Sequence, residues 1–228
     1  MKWTPEKLEP YRKIGDKEAD DLFERVYEEG KVDALNACFK VLATSNHNDI
    51  TKILKDPVLI KDFEDYLERL SHLPEWANRE KMNQGSEFFK MHAERIGLLL
   101  FCKSLPTCYT CAKGAKVLSM TGRIEEHDGS FDSMTRRLLE TGQFIFNVCA
   151  KFAFNEKGRG FVSVQKVRLM HASIRTIALK HGFDTGTYDH PINQEDLAGT
   201  LCTFSTIIVQ GLEQSGLDLK QSDKEAYM

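Results

Sequence analysis

The sequence has no apolar run long enough to cross a bilayer. The longest, IGLLLF at Ile96–Phe101, is short, whereas a spanning helix needs about 20 apolar residues. The first residues, MKWTPEKLEPYRK, are charged and lack the apolar centre of a signal peptide. We therefore expect no transmembrane segment and a cytoplasmic location.

The sequence also lacks the short motifs of several large enzyme classes. It has no Walker loop, no GxGxxG, no HExxH and no GxSxG. The formal net charge of −3 gives no basic excess for binding nucleic acid. Most of the six cysteines lie in apolar, helix-like segments, and without an export signal a disulfide framework is not expected.

Period-two alternation of apolar residues is almost absent, which favours an all-α protein, either a helical bundle or a globin-like packing. No internal repeat or low-complexity linker is visible, so residues 86–228 are interpreted as one compact core, with residues 1–85 as a helical extension packed on it. Ser71–Gly85 is polar and is predicted to be a loop. Helical spacing predicts helices at Asp16–Glu29, Val32–Ala43, Asp49–Leu54, Pro57–Leu70, Ser86–Leu105, Thr107–Met120, Ser130–Phe154, Val164–His181 and Gln194–Gln214.

One predicted helix, Val164–His181, places a histidine in a mostly apolar face. His171 shares that face with Val167, Ile174 and Ala178. Arg168 and Arg175 each lie about one turn from His171, so they could pair with the carboxylates of an anionic cofactor such as haem. From periodicity alone, a core histidine between two surface arginines is the favoured interpretation.

A second predicted helix, Ser130–Phe154, carries an arginine and a threonine one turn apart. Arg137 and Thr141 share a face with Ile145 and Val148, and could offer hydrogen bonds to a polar ligand in an apolar wall. When this helix is considered alone, the favoured interpretation is a surface arginine beside a threonine that is hydrogen-bonded to its own helix.

Two further patterns favour structural interpretations. Cys108 and Cys111 have the spacing of a redox motif or half a zinc site, but no second pair with ligand spacing follows, so two core cysteines are favoured. His92 is the only serious rival to His171 as a metal ligand, and a partly buried helix histidine is the simpler interpretation.

Several motifs in a fixed order resemble a known family. They are KSLPTCYTCAKGAKVLSMTGR (Lys103–Arg123), RRLLETGQF (Arg136–Phe144), VRLMHASIR (Val167–Arg175), PINQEDLAGTL (Pro191–Leu201) and DKEAY (Asp223–Tyr227). In this order they are similar to the haem-dependent oxygenases that include the bacterial rubber oxygenase and the fungal mycophenolic-acid-pathway oxygenase. The resemblance covers about Ser86–Tyr227.

The resemblance implies an all-α, globin-like core that binds haem b, with His171 as the iron ligand and with Arg137 and Thr141 as catalytic residues in the haem pocket. It implies a reaction of O₂ with a small apolar, isoprenoid or lipid-like substrate, such as oxidative cleavage of a C=C bond. The rubber-cleaving members have a lysine where this chain has Glu140, and the family's C-terminal helices are expected to be absent. Glu125 and Glu126 lie near the right motif, but no distal base is assigned.

Two other functions remain open at the level of sequence. A non-enzymatic haem protein, a sensor or an electron-transfer module, would use His92 or a methionine as a sixth iron ligand. A cofactor-free helical interaction domain would fill the same pocket with side chains.

Overall fold

The structure is a computed structural model that describes residues 3–28, 54–120, 132–156 and 158–228, together with Asp33 and Ala37; the side chains of residues 132–134 and of Arg137 fall outside this set. Every regular element in the described residues is helical, which confirms the all-α prediction. Apart from Asp33 and Ala37, the predicted helix Val32–Ala43 falls outside the described residues, as does nearly all of Asp49–Leu54.

Twelve α-helices are named here in chain order, within the described residues. They are α1 Pro5–Leu8, α2 Lys17–Glu28, α3 Pro57–Arg69, α4 Arg79–Leu99, α5 Leu105–Tyr109, α6 Ala112–Met120, α7 Asp132–Cys149, α8 Arg159–Lys180, α9 Thr185–Tyr188, α10 Gln194–Phe204, α11 Thr206–Gln214 and α12 Gln221–Tyr227. A 3₁₀ helix, Glu9–Lys13, follows α1, and a π-helical turn, Leu100–Ser104, joins α4 to α5.

The chain forms two compact units, and each is built from two separate stretches of sequence. The first unit contains Met1–Pro74 and Phe154–Gln194, and the second contains Glu75–Ala153 and Glu195–Met228. The predicted boundary between residues 85 and 86 is a different division of the chain, and it stays a prediction.

The first unit packs α2 and α3 against α8. Helix α2 begins after Asp16, which caps it by accepting a hydrogen bond from the Ala19 amide at 3.5 Å. Its apolar stripe is fully buried, and the ring of Phe23 meets that of Phe63 from α3 edge to face at 5.9 Å. The core consists of Ala19, Leu22, Phe23, Val26, Leu54, Leu59, Phe63, Tyr66, Leu169, Met170 and Ala172.

The second unit packs α4 against α7, α11 and α12. Its core consists of Phe88, Phe89, Ile96, Ile145, Ile208 and Leu212. The ring of Phe88 lies 5.3 Å from that of Tyr227, and the Tyr227 hydroxyl donates to the Phe204 carbonyl at 3.1 Å. Helix α7, which carries Arg137 and Thr141, contributes Ile145 to this core.

Several predicted helix bounds were wrong. Helix α7 ends at Cys149 rather than at Phe154, and α8 begins at Arg159 rather than at Val164. Helix α4 begins at Arg79, inside the predicted loop Ser71–Gly85, because Asn78 accepts a hydrogen bond from the Lys81 amide at 3.0 Å and caps the helix. The predicted helix Thr107–Met120 is divided at Thr110 and Cys111, between α5 and α6. The predicted helix Gln194–Gln214 is interrupted at Ser205, whose backbone angles are not helical.

Candidate functional site

Helix α8 presents two different sides in the first unit. Its buried side includes Leu169, Ala172 and Ser173, all 0% exposed. The hydroxyls buried there are satisfied within the helix, since Ser173 donates to the Met170 carbonyl at 2.8 Å and Thr176 to the Ala172 carbonyl at 3.0 Å. This side of α8 is therefore part of the core of the first unit.

His171 lies on the other side of α8. It is only partly buried, as are its face neighbours Val167 and Ile174, whereas Ala178 is 0% exposed. The predicted face therefore exists, but the imidazole is not sealed inside the core of the first unit. A partly exposed histidine between apolar neighbours keeps a ring nitrogen within reach of a ligand better than a fully packed one does.

Arg168 is bound to the beginning of α2. Its Nε and Nη2 donate to the two carboxylate oxygens of Asp16 at 2.7 and 2.9 Å, and Nη2 also reaches Glu18 at 3.4 Å. Burial alone would raise the pKa of Asp16, but the hydrogen bonds and charge of Arg168 outweigh it, and the pKa lies below its ordinary value. The same contacts raise the pKa of Arg168, so the pair stays ionised.

Arg175 is bound by the next turn of α2 and is almost completely buried, at 1% exposed. Its Nε donates to Asp20 at 2.7 Å, and its Nη1 donates to the Ile192 carbonyl at 3.1 Å. Its Nη2 is buried with no hydrogen-bond partner among the residues that the structure describes. A buried guanidinium with one unmet donor is a polar group that a water molecule or an anion would stabilise.

His190 approaches this pair from the segment after α9. A Cβ built on Gly15 would lie 2.7 Å from His190 Nε2, 3.1 Å from Arg175 Nε and 2.5 Å from Asp20 Oδ2, so the three polar groups converge on one point of the backbone. Burial and the charge of Arg175 lower the pKa of His190, which favours the neutral imidazole. No pattern in the sequence marks Asp16, Asp20 or His190 as a site residue.

Hydrogen bonds connect the residues that precede α2 to the same region. Arg12 donates to Asp189 at 2.6 Å, the His190 amide donates to the Arg12 carbonyl at 3.2 Å, and the Gln194 amide donates to the Ile14 carbonyl at 2.9 Å. The two arginines of α8 are thus held in an ordered polar cluster with α2 and the Asp189–Gln194 segment. Their predicted pairing with a cofactor stays a prediction.

Helix α7 carries the other predicted residues and belongs to the second unit. Thr141 is partly buried, and Ile145, on the same face, is 5% exposed. The side chain of Arg137 lies outside the described residues, as do Glu125 and Glu126. Glu140, where rubber-cleaving members have a lysine, accepts a hydrogen bond from Arg136 at 3.0 Å, so its charge is partly neutralised on its own helix.

His92 sits in a different setting from His171. It lies on α4 in the second unit, partly buried, with its ring 4.7 Å from the ring of Phe88. Among the described residues, no group of three or more histidine, cysteine, aspartate or glutamate side chains is arranged to hold a metal ion.

These features define an all-α protein whose candidate residues lie on two long helices, His171 on α8 and Thr141 on α7. The family model described as "ER-bound oxygenase mpaB/B'/Rubber oxygenase, catalytic domain" matches residues 90–228, more than half of the chain. The chain therefore belongs to this oxygenase family, as the motifs had indicated.

Individual relatives agree with the family assignment. The rubber oxygenase of Streptomyces sp. (strain K30) is 23% identical over 220 residues, which are 94% of this chain and 50% of the relative. The solved structure of the latex clearing protein in its closed state is similar in fold, with a TM-score of 0.70 and 22% identity over 95% of this chain and 56% of that chain. The chain thus spans about half the length of the relatives it matches.

No helix in the described part of the chain is both long enough and apolar enough to cross a bilayer.

Proposed function

We propose that this protein is a haem b-dependent oxygenase that uses O₂ to oxidise a small apolar substrate of isoprenoid or lipid-like character. The finer form of the proposal is oxidative cleavage of a C=C bond. The observation that carries it is the position of His171 within the oxygenase family region, on a partly exposed apolar face of α8. Haem, when bound, supplies the O₂ chemistry.

The donor set near His171 suits haem. Haem iron needs a single protein ligand on its proximal side, and a histidine is the commonest. Val167 and Ile174 flank His171 with apolar, partly exposed side chains, which would contact a flat hydrophobic ring. A protein-only metal site would instead need several converging ligands, and none is assembled in the described residues.

The polar cluster of Asp16, Asp20, Arg168 and Arg175 supports a positioning role for its two arginines. Asp16 and Asp20 hold Arg168 and Arg175 against α2, which fixes the rotation of α8 and therefore the direction of His171. Propionate binding by either arginine would have to compete with these carboxylates. The unmet donor of Arg175 makes it the better candidate of the two for a contact with an anionic group.

Arg137 and Thr141 are proposed to donate hydrogen bonds to a polar group of the bound ligand. Thr141 is partly buried on the same face of α7 as the buried Ile145. Preorganised donors of this kind stabilise charge that develops during a reaction. The roles of both residues stay proposals.

The test is an absorption spectrum of the purified protein, loaded with haemin and compared with the His171→Ala variant. We expect a Soret band from the parent protein and its loss or a large shift in the variant, because the variant lacks the proposed iron ligand. His72→Ala is the matched control, since His72 is an exposed histidine of the first unit that lies after the end of α3. Circular dichroism of all three proteins shows whether the fold is retained.

Each alternative predicts a different spectrum. A folded, colourless parent protein that takes up no haemin contradicts the proposal and favours a cofactor-free interaction domain. A six-coordinate ferrous spectrum that does not respond to O₂ favours a sensor or an electron-transfer protein. A ferrous form that binds CO and reacts with O₂ supports the oxygenase.

A further inference from the structure

The turn between α5 and α6 in the second unit places two cysteine thiols near each other. Cys108 lies in the last turn of α5, and Cys111 immediately precedes α6, where its carbonyl accepts the Ala115 amide at 2.9 Å. The Cys111 amide donates to the Cys108 carbonyl at 3.3 Å, which closes a turn of four residues. Such a turn holds its end Cα atoms within about 7 Å, and disulfides span roughly 4.4–6.8 Å between Cα atoms.

Both thiols also make hydrogen bonds to α10. The Cys108 Sγ lies 2.9 Å from the Thr203 hydroxyl oxygen, and that hydroxyl already donates to the Thr200 carbonyl at 2.7 Å. Cys108 must therefore be the donor. Cys111 likewise donates to the Asp196 carboxylate at 3.4 Å.

These contacts need protonated thiols. A disulfide has no hydrogen to donate, so its formation would leave Thr203 and Asp196 without these two donors. The reduced pair is consequently linked to α10, and the oxidised pair would not be. Two side-chain links between the α5–α6 turn and α10 depend on the oxidation state of the cysteines.

We propose that Cys108 and Cys111 form a reversible dithiol–disulfide site that controls the attachment of the α5–α6 turn to α10. The two thiols differ in access, since Cys111 is exposed and Cys108 is half-buried. Cys111 is therefore the residue that reacts first, and Cys108 completes the exchange.

The oxidant is a small-molecule disulfide such as oxidised glutathione. The Cys111 thiolate attacks one sulfur of that disulfide, which forms a mixed disulfide and releases one glutathione thiolate. The Cys108 thiolate then attacks the Cys111 sulfur of the mixed disulfide and expels the second glutathione. The protein loses two hydrogens, and one glutathione disulfide becomes two thiols, so atoms and electrons balance.

The test uses the full chain with Cys102→Ser and Cys202→Ser, which removes two other exposed thiols. The protein is equilibrated with reduced and oxidised glutathione, quenched by alkylation and analysed by mass spectrometry of its peptides. We expect a species lacking two hydrogens, with the link between Cys108 and Cys111. Adding Cys108→Ser should instead leave a stable glutathione adduct on Cys111.

The link to α10 is tested with Thr203→Val, which keeps the branched shape and removes the acceptor of Cys108. We expect this variant to shift the equilibrium toward the disulfide by roughly threefold to tenfold, as one lost hydrogen bond predicts. Thr203→Ser, which keeps the hydroxyl, should behave as the parent does. Hydrogen exchange of the α10 amides should become faster when the parent is oxidised.

Two results would overturn the proposal. One is recovery of Cys111 as a persistent glutathione adduct beside a free Cys108 thiol in the parent, because the pair would then be unable to close. The other is an unchanged equilibrium in Thr203→Val together with unchanged exchange in α10, because the thiol contacts would then not hold the reduced state.

Discussion

Gly15 has no side chain at the point where Asp20, Arg175 and His190 meet. A Cβ there would lie 2.5 Å from Asp20 Oδ2 and 2.7 Å from His190 Nε2, closer than such atoms normally come. Asp20 cannot simply swing away, because it accepts hydrogen bonds from Arg175 at 2.7 Å and from the Asp16 amide at 2.9 Å. The polar cluster therefore requires a residue without a side chain at position 15.

We expect Gly15→Ala to lower the free energy of unfolding by about 1–3 kcal/mol, the usual effect of overfilling a packed site. Urea denaturation followed by circular dichroism measures it. Gly97→Ala is the control, since a Cβ on Gly97 of α4 meets nothing within 4 Å. That change should be neutral or slightly stabilising, because alanine favours helix more than glycine does. Equal effects of the two substitutions would contradict this account of Gly15.

His190 gives the first unit a dependence on pH. Burial and the charge of Arg175 lower its pKa in the folded state, while Asp20 acts in the opposite direction. The unfolded chain, with a histidine pKa of about 6.5, therefore takes up the proton first as the pH falls. The stability is fully present above that value and is progressively lost below it.

We expect the free energy of unfolding to fall between about pH 7 and about pH 5, and to fall less steeply in His190→Gln. The difference between the two proteins at each pH isolates His190 from the remaining histidines and from Asp16 and Asp20. Urea denaturation at a series of pH values measures it. An identical slope in the two proteins would show that His190 does not titrate differently in the folded state.

At the scale of elements, α2 and α8 are connected by ion pairs whose two residues lie far apart in the sequence. Arg168 and Asp16 are separated by 152 residues, and their side chains are 32% and 12% exposed. Charged hydrogen bonds with two parallel contacts and partial burial are stronger than surface pairs. This pair should therefore contribute measurably to the docking of α8.

A double-mutant cycle with Arg168→Met and Asp16→Asn tests this contribution. We expect a coupling free energy of roughly 1–2 kcal/mol in unfolding experiments. The same cycle on Lys17 and Asp21, whose side chains are 84% and 53% exposed, is the control and should give less than about 0.5 kcal/mol. A coupling free energy no larger than that of the control would mean that the Arg168–Asp16 pair does not stabilise the packing of α8 on α2.

Element boundaries were predictable where the signal is local. Pro57 follows Asp56, which caps α3 by accepting the Val58 amide at 2.8 Å, and both residue types are typical of helix starts. The start of α4 was missed because its first turns are polar. Gly85 there packs against the backbone of Ala226 in α12, a contact that no local pattern reveals.

At the scale of the molecule, ordered motifs predicted the family and the all-α class correctly. The division into two units could not be predicted, because each unit joins stretches from distant parts of the sequence. Periodicity placed His171, Arg168 and Arg175 on neighbouring turns of one helix, but it could not supply their partners. Asp20 lies 155 residues before Arg175, and His190 follows Arg175 only after the end of α8 and the whole of α9.

Binding of haem to the folded chain alone would stabilise the whole protein by mass action. We expect haemin at about 100 times its dissociation constant to raise the free energy of unfolding by about 2.7 kcal/mol, and to raise the thermal midpoint accordingly. His171→Ala should lose most of this shift, while His72→Ala should keep it, because only His171 lies on the apolar face of α8. Thermal unfolding followed by far-ultraviolet circular dichroism measures the shift without any catalytic assay. Equal stabilisation of the parent and His171→Ala would mean that haemin binds elsewhere on the protein, and His171 would no longer be the proposed iron ligand.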